Sequence, residues 1–166
     1  MLISKKSYYQ GFTLIELLVV IAIIGIISTL AIVAFSGVRA KANDAKRKFE
    51  LTQIGKFFST TCYVPESGVG TYDLADLITE LKAKDEKYRQ LISIIPHDPK
   101  SGSETKANYI YIVNDDKKCT LYGNLENANE KNTLNISEPT PGAGNGVFES
   151  ATSGVNGTKK YFQVTN

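Results

Sequence analysis

The stretch 12–35 constrains this chain more than any other. It holds 24 residues, no Lys or Arg, and one charge, Glu16. As a helix it rises about 36 Å, enough to cross a bilayer core of about 30 Å. Because it is apolar all round, it suits lipid or a bundle of like helices better than a protein surface. A single signal-anchor helix meets that description too. Glu16 asks for more. A carboxylate in a membrane helix costs about 2.5–3.5 kcal/mol on insertion scales, so it needs a partner. The segment contains no cation. A cut between Gly11 and Phe12 would create one, as a new amino terminus.

The residues Gly11-Phe12-Thr13-Leu14-Ile15-Glu16-Leu17-Leu18-Val19-Val20-Ile21 resemble the processing and methylation signal of type IV pilins and type II secretion pseudopilins. The resemblance implies that a prepilin peptidase/methyltransferase cuts after Gly11 and N-methylates Phe12. It also implies that Glu16 acts in assembly. It continues more loosely through 40–48, and such subunits share a long N-terminal helix. The chain departs from the pattern at Val33, where many pilins carry Pro, so the kink that Pro brings is not implied.

Residues 1–11 read as a leader, with Lys5 and Lys6 ahead of the apolar run and Tyr8 and Tyr9 as interfacial residues. A secretory signal peptide would be cut after the apolar run instead, and Ser28, Thr29 and Ala31 supply small residues there. Without the two leader lysines, 17 basic residues face 17 acidic ones. That balance argues against a strongly electrostatic nucleic-acid binder.

From Ser36 to Phe58 no Pro interrupts, and good helix formers are frequent. Phe35, Val38, Ala42, Ala45 and Phe49 follow three-four spacing, and Ile54, Phe57 and Phe58 continue an apolar face with a small phase shift. One helix from about Thr13 to Phe58 is expected. Its first half (12–35) is the transmembrane or fibre-core segment, and its second half (36–58) is amphipathic and packs on a head domain, 59–166. That head is large enough for one small domain. Arg39, Lys41, Lys46, Arg47 and Lys48 stand against Asp44 alone. They read either as partners for acidic groups on neighbouring subunits or as a solvated face. The positive-inside rule would keep this cluster cytoplasmic, whereas the resemblance puts the C-terminal domain outside.

Cys62 and Cys119 are the only cysteines. In an exported domain a lone pair usually forms one disulfide. It would join the end of the helix to a strand and contribute roughly 4 kcal/mol in the chain-entropy model. Residues 63–70, with Pro65 and two glycines, form a turn. Asp73 caps a short helix with Leu74, Leu77, Ile78 and Leu81 on one face. The charged stretch 82–87 is exposed, and Leu91, Ile92, Ile94 and Ile95 re-enter a core. Pro96-His97-Asp98-Pro99 ends that element.

Residues 108–113 alternate as a strand, 114–117 turn, and 119–125 answer, giving an antiparallel hairpin over the helix. Residues 126–146 read as a surface loop. Val147-Phe148 and 160–164 form a second hairpin. Asn135-Ile136-Ser137 and Asn156-Gly157-Thr158 match the glycosylation triplet, which is common by chance.

No nucleophile motif, phosphate loop or metal-ligand cluster is visible, and the single histidine, His97, sits in a turn. Asp98, Asp115 and Asp116 lack the spacing of a calcium loop, so no metal and no cofactor is expected. The expected class is α+β: a long N-terminal helix packed against a small antiparallel sheet. The expected role is a non-enzymatic subunit of a type IV pilus-like surface filament. The alternatives are a secretion pseudopilin, a minor or tip pilin for adhesion or DNA uptake, and a lone anchored domain. The resemblance implies other copies of the subunit, an assembly platform and ATPase, and membrane lipid before assembly as partners. No specific nucleic acid is expected. It places the N-terminus in the cytoplasm and the head outside.

Overall fold

The computed structural model describes residues 11–58 and 62–166, with the side chains at 31–34 and 36 outside the description. Lys5, Lys6, Tyr8, Tyr9 and the rest of 1–10 also lie outside it, as does the expected start of the head at 59. The chain divides into two units, Met1–Val38 and Arg39–Asn166. The division falls within the first helix, α1 (Leu14–Phe58, 45 residues).

In the first unit the described apolar side chains from Phe12 to Leu30 are exposed, Phe12 at 84%. Among the described residues, no helix is long and apolar enough to cross a membrane. The sequence run continues to Phe35, through side chains that are not described.

In the second unit, α1 is followed by β1 (Gly70–Asp73), α2 (Leu74–Lys84), α3 (Glu86–Leu91), β2 (Tyr109–Val113), β3 (Cys119–Asn124), β4 (Gly146–Glu149) and β5 (Lys160–Thr165). The strands make one antiparallel sheet in the order β1-β2-β3-β5-β4. This is the expected α+β arrangement, a helix on a small antiparallel sheet. The 114–117 turn closes β2–β3 through the Lys117 N–H to the Asn114 carbonyl, and the Asn114 side chain accepts from the Lys118 N–H. The second hairpin pairs Phe148 with Tyr161. Strand β1 was not expected, since 63–70 reads as a turn running directly into the Asp73 cap. Its four residues are too short to show alternation.

Side chains alternate across the sheet, as pleating requires. Tyr109, Tyr111, Leu121 and Val164 face inward and meet Leu51, Phe58 and the buried row of α2. The inward tyrosines end on acceptors, Tyr109 on Glu50 at 2.8 Å and Tyr111 on the Tyr63 carbonyl at 2.9 Å, so their hydroxyls are buried without loss. Gly55 allows the closest approach of helix to sheet. A Cβ there would lie 2.3 Å from the Val164 Cγ1, and a β-branched neighbour has little freedom to move aside.

The buried face of α1 differs from the expected one. Phe49 is 63% exposed, and Ala42 and Ala45 are exposed as well. Asp44, Arg47, Leu51, Gly55 and Phe58 are buried instead. The reason is electrostatic. Acidic groups of the head pair with Arg47, and a charged residue with partners can occupy an inward position. A smaller correction concerns 91–95. Ile95 is buried and Ile92 packs on the core, but Leu91 and Ile94 are 61% and 65% exposed.

Candidate functional site

Residues 11–13 precede the first helical turn, so the Gly11–Phe12 peptide bond is not held in helical hydrogen bonding. A Cβ at Gly11 would meet nothing within 4 Å. A peptidase could therefore reach this bond in an extended conformation.

Thr13 sets where α1 begins. Its N–H and its hydroxyl both donate to Glu16 Oε2 at 2.8 Å, and its Oγ1 accepts from the Glu16 N–H at 3.3 Å. Its carbonyl takes the first helical hydrogen bond, from the Leu17 N–H. This is a capping box, in which residues three apart satisfy each other's free donors. Glu16 thus has a local partner as well as the one a new amino terminus would supply. The Thr-x-x-Glu spacing carried that signal in the sequence. Because the Thr13 N–H is an amide before and after a cut at Phe12, cleavage leaves the box intact.

The second polar centre lies wholly in the head. Arg47 is fully buried and uses all three guanidinium nitrogens. Nε and Nη2 hold the Asp98 carboxylate at 2.8 and 2.9 Å, Nη1 holds Asp44 at 2.8 Å, and Nη2 also reaches Glu126 at 2.7 Å. Asp98 further accepts from the Lys100 and Ser101 amides and from Asn156 Nδ2. Burial opposes ionisation of Asp98, but these donors outweigh it and hold the carboxyl well below the usual range. Burial likewise opposes the Arg47 charge, and Asp98, Glu126 and Asp44 raise its pKa in spite of it. Asp44 also accepts from the Glu126 and Asn127 amides, which fastens the start of the 126–146 loop to α1. That loop was expected on the surface, and 126–145 is exposed or half-buried.

The basic cluster is therefore used partly within the chain. Arg47 is neither solvated nor free for a neighbour, Lys48 pairs with Glu130, and Lys46 pairs with Glu50. Arg39 and Lys41 are exposed. Asp98 is saturated with donors and unsuited to calcium, and Asp115 and Asp116 sit exposed at the β2–β3 turn. Among the described residues no group of His, Cys, Asp and Glu could hold a metal ion. The His97 ring Nδ1 lies 2.9 Å from the Ile95 carbonyl, a local turn contact. Cys62 and Cys119 form a disulfide with Cα atoms 5.7 Å apart, tying the segment after α1 to the start of β3.

No curated protein and no solved structure matches the chain. The family model described as the prokaryotic N-terminal methylation motif matches residues 6–32, a span that includes Gly11, Phe12, Thr13 and Glu16. The chain therefore carries the N-terminal methylation signal of type IV pilins and pseudopilins.

Proposed function

We propose that the chain is a structural subunit, not an enzyme, of a type IV pilus-like surface filament. A prepilin peptidase cuts between Gly11 and Phe12, and Phe12 is N-methylated. Segment 12–35 holds the subunit in the membrane until it moves into a core of like helices. The observation that carries this reading is the exposed, non-helical Gly11–Phe12 bond placed directly before an apolar helix whose first turn holds Glu16. Cutting turns the Phe12 amide nitrogen into an ammonium. Two unpaired charges in a low-dielectric core are costly, and together they compensate. The new amino terminus pairs with Glu16 of a neighbour, using the carboxylate oxygen that the capping box leaves over. Assembly then proceeds through a platform protein and its ATPase.

The test is mass spectrometry of sheared surface material and of the membrane fraction. We expect the N-terminal peptide to start at methylated Phe12, and filaments built mainly of this chain. A start at Met1, or after Ala31, would overturn the reading. A correctly processed chain that is absent from sheared material would favour a secretion pseudopilin, whose fibre is short, or an anchored domain.

A further inference from the structure

The face of the sheet turned away from Leu51 and Phe58 carries a cleft of about 330 Å3, within the size range of small-ligand sites. Its floor is aromatic. Tyr122 and Tyr161, both half-buried, form it, and the fully buried Phe148 stacks on Tyr161 from its cross-strand position, rings 5.6 Å apart at 18°. Tyr122 stands 6.1 Å from Tyr161, tilted by 58°. Its lining also includes Glu138, Ser150 and Thr152. The hydroxyls of Tyr122 and Tyr161 bond to no other group among the described residues. A smaller hollow of about 160 Å3 continues past the same two tyrosines.

The cleft is built from beneath. Gln163 is fully buried, accepts from the Thr140 N–H at 3.0 Å, and donates to the carbonyls of Thr140 and Gly144. The Thr140 hydroxyl in turn donates to the Glu138 carbonyl. Gln163 thus pins the strip of loop that carries Glu138 over the outer face of β5. A rim fixed in this way loses little freedom when a ligand arrives.

Charge narrows the ligand. No Lys or Arg lines the cleft, and its one ionisable rim group is a carboxylate. Phosphates and single-stranded nucleic acid need cations alongside their stacking platforms, so they are disfavoured. A quaternary ammonium would suit the rings and the carboxylate. It would leave the hydroxyl donors of Ser150, Thr152 and the two tyrosines without acceptors. A neutral sugar uses every part. Its C–H face lies on an aromatic surface, and its hydroxyls both donate to Glu138 and accept from the rim hydroxyls.

We propose that this cleft, floored by Tyr122 and Tyr161 and rimmed by Glu138, Ser150 and Thr152, binds an uncharged saccharide. The site lies within the head and does not depend on the filament reading.

The test is saturation-transfer NMR on the full chain, in a detergent whose headgroup is not a sugar. The probes are lactose, maltose, cellobiose and N,N′-diacetylchitobiose, with choline and a short oligothymidine as competitors. We expect saturable binding of at least one disaccharide, with a dissociation constant of about 1 mM or tighter. Tyr122→Leu should weaken it about tenfold, as should Glu138→Gln, which removes a charged hydrogen-bond partner. Glu138 is exposed, so its variant keeps the test valid if Tyr122→Leu melts early. Saturation by none of the four sugars would overturn the proposal. So would undiminished binding by a folded Glu138→Gln chain, or displacement of the sugar by choline or the oligonucleotide.

Discussion

Glu16 and Arg47 lie on the same helix and meet opposite environments. Around Glu16 the side chains from Phe12 to Leu30 are apolar and exposed, and the carboxylate has one local partner, Thr13. Around Arg47 the head supplies three carboxylates and buries the guanidinium completely. Arg47 finds all its counter-charges within one chain. The N-terminal unit, taken alone, leaves its apolar surface uncovered and one carboxylate oxygen of Glu16 to spare. A charge whose partners are all internal serves folding, whereas a charge with spare capacity on an uncovered surface is available to another molecule.

The sharpest way to break this contrast is Glu16→Gln. The amide keeps an oxygen for the Thr13 donors but carries no charge. If Glu16 only caps α1, filaments should form as usual. We expect processed protein to accumulate in the membrane with little or none in sheared filaments, measured as the ratio between the two fractions. Normal filament yield would move Glu16 to the same class as Arg47, a residue satisfied at home.

Arg47→Met should produce the next largest effect. It leaves Asp98, Asp44 and Glu126 in place with no guanidinium, and stranding a buried charge costs about 3–5 kcal/mol. Denaturant unfolding of the full chain would measure the loss, and N-terminal processing should be unaffected. The same network fixes the response to acid. The pKa of Asp98 is depressed in the folded head, so its contribution is complete at neutral pH. It fades as pH falls below the ordinary carboxylate range and through the lowered folded value. Wild type should lose stability steeply under strong acid, and an Asp98→Asn chain, weaker from the start, should show a shallower decline.

Gly55→Ala ranks third. The new methyl would collide with Val164, and overpacking of this kind costs about 1–3 kcal/mol. The comparison sharpens at Gly25, where a Cβ would meet nothing within 4 Å. Gly25→Ala should stabilise α1 of the isolated subunit slightly, by up to about 1 kcal/mol, while a loss of filament yield would report contacts made only on assembly. The smallest effect belongs to Thr13→Ala, which removes one half of the capping box and costs about 1 kcal/mol of helix stability. Amide exchange in the first turn of α1 should quicken, with the head unaffected.

The legible parts of the fold were those governed by local pattern. The extent of α1, the α2 face and the β2–β3 alternation all follow from spacing within one element. The buried face of α1 was not legible, because it depends on Asp98 and Glu126, which lie 51 and 79 residues beyond Arg47. Periodicity treats an arginine as solvent-facing, and only the three-dimensional arrangement supplies its counter-charges. Asp98 was visible as part of a proline-flanked turn, but nothing local distinguishes a turn aspartate from the anchor of a buried guanidinium. At the amino terminus the signal residues were legible because they form a continuous run. The Thr13–Glu16 box was equally local, yet the expectation for Glu16 named only a new amino terminus as its partner. The aromatic cleft was not, since Tyr122 and Tyr161 meet only once β5 pairs with β3.

The strand order also bears on timing. β5 is the latest of the five strands in the chain, yet it lies between β3 and β4. Thr165 Oγ1 and the Asn166 N–H both bond to the Cys119 carbonyl, beside the disulfide. The sheet therefore cannot close until residues 160–165 are available to pair. Until Lys160–Thr165 has emerged, β3 and β4 have no shared neighbour, and the growing head stays an open three-strand sheet with a detached ribbon. A chain cut short before residue 160 would lose the strand that joins β3 to β4.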